Sequence, residues 1–313
     1  MSSSRMKLVQ TGRASVPMRL VVYGPGGAGK TSFLADAPGA LFFDLEGGSH
    51  HVDVQRYSFH DGPDGTRPRT YAAILAGLDD VKANARGSVK LLVIDTLSVL
   101  ESMLVTHVCA EAGKASIEDF GYGRGYRYAE DCYRAFLSRL DELRTVGISV
   151  AIIAHSKVAK FRNPEGEDYD RYQIAAHDLI STLTYQWADV VGFLRFEDFS
   201  KKGKAFSAGA RVLHLARTAA FDAKSRTGAQ RVDVGEAHPW AAFAASQDAA
   251  AAASAASLMT EIEAELERIG DSFEVNGKKW TRTDLLASIK GEKADVLTRV
   301  INGLRTIEGD KQS

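Results

Sequence analysis

Short apolar runs, each closed by glycine, proline or a charged residue, alternate with longer segments whose apolar positions recur every three to four residues. That alternation predicts parallel strands buried on both faces and separated by helices. Met18–Tyr23 (MRLVVY), Ala40–Leu45 (ALFFDL), Lys90–Asp95 (KLLVID), Ser149–Ala154 (SVAIIA), Asp189–Phe196 (DVVGFLRF) and Arg211–Ala216 read as strands. Helical spacing marks Thr31–Ala37, stopped by Pro38 and Gly39, and Tyr71–Ala85 through Ile74, Leu75, Leu78 and Val81. It marks Thr96–Ala112 and Ile174–Trp187 as well. Arg127–Val146 carries an apolar stripe of Phe136, Leu137, Leu140, Leu143 and Val146. The turn-rich stretch 60–70 and the polar stretch Ser156–Tyr172 read as loops. The segment Gly121–Tyr126 reads either as a basic-aromatic loop for single strands or as a tight helix–helix connection.

Past Trp240 the pattern changes. Gln247–Ser257 is alanine-rich and reads as a linker helix or a tether. Met259–Ile269 and Asp284–Ile307 are helical in spacing, with an Asn-Gly turn inside Phe273–Trp280. The expected layout is a polar arm over 1–17, an α/β core over 18–240, an alanine-rich linker over 241–257 and a small, mostly helical region over 258–313. The core is expected as a mainly parallel sheet flanked by helices.

Composition narrows the classes. The 313 residues hold 39 Lys and Arg against 40 Asp and Glu, so any nucleic-acid contact must come from a local patch. Two cysteines, Cys109 and Cys132, cannot form a disulfide framework or a zinc site alone. The first residues lack the apolar core of a signal peptide, and the longest apolar run, LLVIDTLSVL, is broken by Asp95. The expectation is a cytoplasmic protein with no membrane contact.

The chemistry concentrates after the first strand. Gly24, Pro25, Gly26, Gly27, Ala28, Gly29, Lys30, Thr31 and Ser32 fit the phosphate-binding P-loop pattern G-x-x-x-x-G-K-[ST] in a strand–loop–helix setting. Small residues let backbone N–H groups close around a phosphate chain, and the helix that follows aims its positive end at it. Lys30 is expected on the β- and γ-phosphates of ATP, and Thr31 on Mg²⁺. Asp95 ends an apolar strand as a Walker B carboxylate and is the second expected Mg²⁺ ligand. Glu46 follows the second strand, where a carboxylate can orient or deprotonate the attacking water; Asp44 lies beside it. His155 closes the fourth strand, where a polar side chain can sense the γ-phosphate. The His50, His51 and Asp53 cluster is set aside as a metal site, because adjacent histidines point apart.

Lys157, Lys160, Phe161 and Arg162 have the cations and the aromatic ring of a single-strand contact, although the second half of that loop is acidic. Lys201, Lys202 and Lys204 make a second basic tip. Lys224 and Arg226, two residues apart, suit a pair of cations reaching a neighbour's γ-phosphate.

The series GPGGAGKT, FFDLEGG, LLVIDTL, AIIAHSK and AKSRTG resembles the RecA/RadA-type ATPase core over about residues 18–235. Within it the likeness is to phage-borne RecA-like proteins that include single-strand-annealing recombinases. The resemblance implies ATP bound with Mg²⁺ between subunits of a homo-oligomer, single-stranded DNA as partner, and a single-strand-binding protein as a further one. It implies Glu46 as catalytic glutamate, Asp95 as Walker B, His155 as sensor and Lys224 with Arg226 as catalytic cations supplied across the interface. The expected activity is ATP-driven annealing or recombination. A ring-type DNA translocase or helicase motor shares the same core, and a nucleotide-gated assembly protein that never touches DNA is the alternative from another class.

Overall fold

A computed structural model describes residues 16–60, 68–201, 204–226, 228–235, 237–275, 278–292, 294–305 and 307. The expected arm up to residue 15, most of the turn-rich stretch 60–70, the Lys202 tip and the Asn276-Gly277 turn lie outside them.

The first unit, Val16–Ala244, runs β1 (Arg19–Gly24), α1 (Lys30–Ala35), β2 (Ala40–Asp44), a 3-10 turn (Ser49–His51), β3 (Gln55–Arg56), α2 (Tyr71–Asn84) and β4 (Leu91–Asp95). It continues with α3 (Leu97–Glu111), a second 3-10 turn (Ile117–Phe120), α4 (Arg124–Thr145), β5 (Ser149–Phe161), β6 (Tyr169–Ile174) and α5 (Asp178–Trp187). Then come β7 (Val190–Lys201), β8 (Lys204–His214), β9 (Lys224–Ser225), β10 (Arg231–Val234) and α6 (Pro239–Ile269). The main sheet follows the order β10-β8-β7-β1-β5-β4-β2-β3, with β6 on β5 and β9 on β7. From β7 through β1, β5, β4 and β2 to β3 every pairing is parallel. The pairings of β7, β8 and β10 with one another are antiparallel, as are those of β6 and β9. The molecule thus has the expected α/β architecture, a mostly parallel sheet flanked by helices.

Burial on both faces explains the unbroken apolar runs. Leu20, Val21, Val22 and Tyr23 of β1 are all fully buried. Val21 and Tyr23 pack in the cluster formed with α2, α3, α4 and α5. Leu20 and Val22 pack in the other, with Phe33 and Leu34 of α1 and Phe243 of α6. Alternate residues of one strand therefore serve opposite layers. The stripe of α4 is buried through Ala129, Tyr133, Phe136, Leu137, Leu140 and Leu143. The Tyr133 hydroxyl, inside that layer, is satisfied by Thr184 Oγ1 at 2.7 Å.

Two expectations change, and two open alternatives are resolved. α4 begins at Arg124, so Gly121–Tyr126 is the tight connection and not a free loop. Gly121, Tyr122 and Gly123 all have positive φ there, which reverses the chain in three residues and leaves Tyr122 fully exposed. His155 is not a strand tip, because β5 continues to Phe161. The stretch read as the loop Ser156–Tyr172 is mostly a β-hairpin, paired from Ser156↔Ile174 to Phe161↔Tyr169. The alanine-rich stretch lies within α6.

The second described unit, Ala245–Ser313, holds the rest of α6, a hairpin of β11 (Ser272–Val275) and β12 (Lys278–Thr281), α7 (Arg282–Ile289) and α8 (Ala294–Arg305). Its own core includes Ile262, Leu266, Phe273, Leu285, Leu297 and Ile301. Both cysteines are free. Among the described residues no helix is long and apolar enough to cross a membrane.

Candidate active site

The parallel strands β1, β2 and β4 end, and β5 leaves its parallel pairing at His155, along one sheet edge, and the candidate chemistry gathers there. A cleft of about 380 Å³ is lined by Gly26, Gly27, Gly29, Lys30, Thr31, Ser32, Glu46, Gly48, His51, Asp95, Thr96, Ile153 and His155. The cleft therefore brings together the P-loop, the Glu46 loop, the Asp95 strand and His155, four stretches far apart in sequence. A cavity of about 550 Å³ against α3 and α4 is larger, but Val108, Phe120, Tyr128 and Cys132 line it together with Glu111, Asp119 and Asp131, and none of the P-loop residues, Glu46, Asp95 or His155 does. Chemistry, not size, selects the smaller cleft.

Packing explains two of the P-loop glycines. A Cβ at Gly24 would strike the Leu194 carbonyl of β7, so a side chain there would part β1 from β7. Gly24→Ala is expected to cost about 1–3 kcal/mol through overpacking, seen as a lower melting temperature in calorimetry. Gly29 has φ 87, and a Cβ on it would meet the Arg211 guanidinium. Gly24, Pro25 and Ala28 do not line the cleft. The Gly24 and Pro25 carbonyls instead accept from Lys30 Nζ at 3.0 and 2.8 Å. Lys30 is 6% exposed, and burial holds its ammonium pKa below the usual lysine value.

Asp95 is the most perturbed carboxylate of the cleft. Burial pushes it up to about 6, against the opposing hydrogen bond from Thr31; the nearby Asp44 and Glu46 carboxylates raise it further. Thr31 Oγ1 donates to Asp95 Oδ2 at 2.9 Å. A hydroxyl and a buried carboxylate short of positive charge, side by side, fit Mg²⁺, which takes few protein oxygens and keeps several waters. Thr31 and Asp95 would hold it.

The sequence favours Glu46 over the neighbouring Asp44, and burial sets the two apart. The Asp44 carboxylate is buried and accepts from the backbone N–H of Gly47, Gly48 and Ser49 at 2.7, 3.1 and 3.0 Å and from Ser49 Oγ at 2.5 Å. With its lone pairs used, it is a structural cap for the loop. Arg56 ties down the far side through Ser49 Oγ at 2.7 Å and the Val52 carbonyl at 2.8 Å. Leu45 and Glu46 N–H both donate to the Asp95 carbonyl, at 2.7 and 3.2 Å. The loop is thus fixed, and Glu46 presents a half-exposed carboxylate 3.7 Å from His155 Nε2.

The remaining expected residues lie elsewhere. Lys157, Lys160, Phe161 and Arg162 sit on the β5–β6 hairpin and its turn. Lys157 Nζ bonds the Ala176 carbonyl at 2.8 Å and Asp178 at 3.2 Å, Lys160 faces Asp168 at 3.9 Å, and Phe161 packs on Tyr169. Arg162 is exposed. Lys224 and Arg226 are not in this cleft. Lys224 pairs with Val191 and Arg226 meets Asp189 at 3.3 Å, beside the start of β7. The register of β7 on β1 puts them near Arg19–Val21, while the P-loop leaves β1 at Gly24. Lys224 lies level with Val21 and Arg226 near Arg19, three and five steps from Gly24, or about 10 and 16 Å, so both stand toward the opposite end of the sheet from their own P-loop.

His51, Gly48, Thr96 and Ile153 line the cleft without having been anticipated. Thr96 could have been, as the residue directly after a Walker B aspartate. His51 was considered only as half of a metal pair; among the described residues no cluster suited to a metal ion of three or more His, Cys, Asp or Glu occurs.

A search of curated proteins found no match. The sequence model of the AAA domain family matches residues 16–227, well over half the chain and the whole stretch that builds the cleft. With the P-loop, the buried Asp95 and the parallel sheet in place, the chain belongs to the AAA domain family of P-loop ATPase-like proteins.

Proposed function

We propose that the protein is a Mg²⁺-dependent ATPase of RecA type that binds single-stranded DNA and promotes annealing or recombination. It works as a homo-oligomer with ATP at subunit interfaces, alongside a single-strand-binding protein. The observation that carries this reading is the continuity of β5. One unbroken strand lines the cleft with Ile153 and His155 and then extends as the hairpin bearing Lys157, Lys160, Phe161 and Arg162. Whatever moves His155 acts on the same rigid element that presents those side chains.

In this reading Lys30 leaves its two carbonyls for the β- and γ-phosphates, and Glu46 orients the attacking water and takes its proton. Thr31 and Asp95 would hold Mg²⁺, which would supply positive charge against the phosphate oxygens. His155 pairs with Glu46 until a γ-phosphate competes for it. Lys224 and Arg226, remote from their own cleft, act on the nucleotide of an adjacent subunit.

A second reading, a nucleotide-gated assembly protein that does not contact DNA, is favoured by the Lys157–Asp178 and Lys160–Asp168 pairs, which neutralise two hairpin cations within the chain. ATP hydrolysis with and without a single-stranded oligonucleotide, at low and moderate salt, separates the two, with Lys30→Ala as the blank. The expected result is stimulation by single strands that fades with salt, because phosphate contacts release counterions. Turnover indifferent to the oligonucleotide at both salts would sink the DNA reading.

A further inference from the structure

The segment that carries Lys224 and Arg226 is anchored just upstream, and the anchor is a buried arginine on the hairpin. Arg171 of β6 lies opposite Ala159 of β5 and is 2% exposed. Its Nη2 donates to the carbonyls of Thr218 at 3.0 Å and Phe221 at 3.3 Å, and pairs with Asp222 Oδ1 at 2.8 Å. The guanidinium carbon sits 5.1 Å from the centre of the Phe161 ring. Its Nε has no partner among the described residues.

Neighbouring bonds close the same joint. Tyr172 N–H donates to the Ala220 carbonyl at 2.8 Å, and the hydroxyl of Tyr23, the residue before the P-loop, donates to the Asp222 carbonyl at 2.5 Å. Two residues beyond Asp222, Lys224 sits over the Tyr185 ring at 4.8 Å and donates to the Gln186 carbonyl at 3.3 Å. Burial and the adjacent Arg226 charge lower the Lys224 pKa. Burying a guanidinium with one donor unmet is costly, and a packed apolar side chain would usually serve stability as well. What distinguishes arginine here is a planar guanidinium on a long stem: its Nη2 alone meets three acceptors of one short loop while the group also lies against the Phe161 ring.

We propose that Arg171 is a positioning residue for Lys224 and Arg226. By clamping Thr218, Phe221 and Asp222 to the hairpin, it sets where the two cations stand, and so sets turnover at the neighbouring subunit's nucleotide. This rests on the reading that Lys224 and Arg226 act across an interface. It adds that the hairpin and the cation pair move as one piece.

Arg171→Lys keeps the charge and loses the planar group that places Nη2 on the loop and lies against the Phe161 ring. Asp222→Asn, at a side chain 29% exposed, relaxes the same joint from its more tolerant side. Each full-length variant is compared with Lys224→Ala plus Arg226→Ala for nucleotide binding, KM and kcat, and each is then mixed with excess Glu46→Gln protein. The expected result is wild-type nucleotide binding and KM, with kcat lower on the order of 100-fold, as for a misplaced group. Mixing is expected to restore turnover about tenfold or more, because the Glu46→Gln subunit has sound cations to lend to an intact foreign cleft. A damaged cleft in the Arg171→Lys subunit itself could not be rescued this way. Wild-type kcat in both joint variants, while the double cation variant is inactive, overturns the role of Arg171. A lowered kcat that mixing leaves unchanged overturns it too. Full turnover in the double cation variant removes the interface reading first, and the inference with it, whatever the Arg171 variants do.

Discussion

Asp95→Asn is expected to abolish ATP turnover and yet raise the melting temperature of the nucleotide-free protein. The two effects have one origin. Asp95 is buried and is pushed up to about 6 from 3.8, so at neutral pH the fold carries a carboxylate that its surroundings disfavour. That difference corresponds to about 3 kcal/mol of strain at neutral pH. Asparagine keeps the shape and an oxygen for the Thr31 hydroxyl, and removes the charge that Mg²⁺ needs. The sign with pH is definite. In the folded chain the group takes up its proton near 6, and in the unfolded chain near 3.8, so the folded state binds more protons between those values. Wild-type stability from this group therefore falls as pH rises through that window, and the deficit is complete above it. Calorimetry of both proteins in chelator is expected to show the variant ahead at pH 7.5, with the gap closing on acidification toward pH 4.5. A gap of constant size across that range would mean that the Asp95 charge is not its cause.

Glu46→Gln is expected to bind ATP as the wild type does and to lose about 10³-fold in turnover. The side chain is half exposed at the cleft, and among the described residues no backbone group donates to it. Asp44, Arg56 and the Asp95 carbonyl hold the loop instead. Substitution should leave that scaffold intact and remove only the group that accepts a proton. Asp44 cannot substitute, because its four accepted bonds keep it turned away from solvent. Nucleotide affinity by equilibrium titration and single-turnover hydrolysis decide the matter together. Hydrolysis near the wild-type rate would move the base to another group, while lost binding would show that Glu46 is structural.

What the sequence disclosed depended on burial. Strands buried on both faces, such as Leu20–Tyr23 and Leu91–Ile94, announce themselves as apolar runs, and the P-loop is a local pattern whose geometry follows from its glycines. The β5–β6 hairpin has little apolar face to advertise. His155, Ser156, Lys157 and Lys160 look like loop composition, and cross-strand pairing alone makes them a strand. Arg171 was hidden for a related reason. Set among Glu165, Glu167, Asp168 and Asp170, it reads as one more solvated charge. Its partners, Thr218 to Asp222, lie some fifty positions away, and so does the fact of its burial. Position and the resemblance point to Glu46 over Asp44, but the burial of Asp44 as a loop cap depends on which way the chain turns and was out of reach. The remoteness of Lys224 and Arg226 from their own P-loop needed the register of β7 against β1.

That remoteness has a consequence for counting. If Lys224 and Arg226 act on a neighbour's nucleotide, as proposed above, a subunit with its cations at one end of the sheet and its cleft at the other would not complete itself. In an open row, the terminal subunit on one side would then always have an unassisted cleft, and the one on the other side idle cations. A dimer of that kind would run at half of its nominal capacity, a long row would approach the full value, and a closed ring would reach it with no ends at all. Activity per subunit would then measure how many ends a population contains.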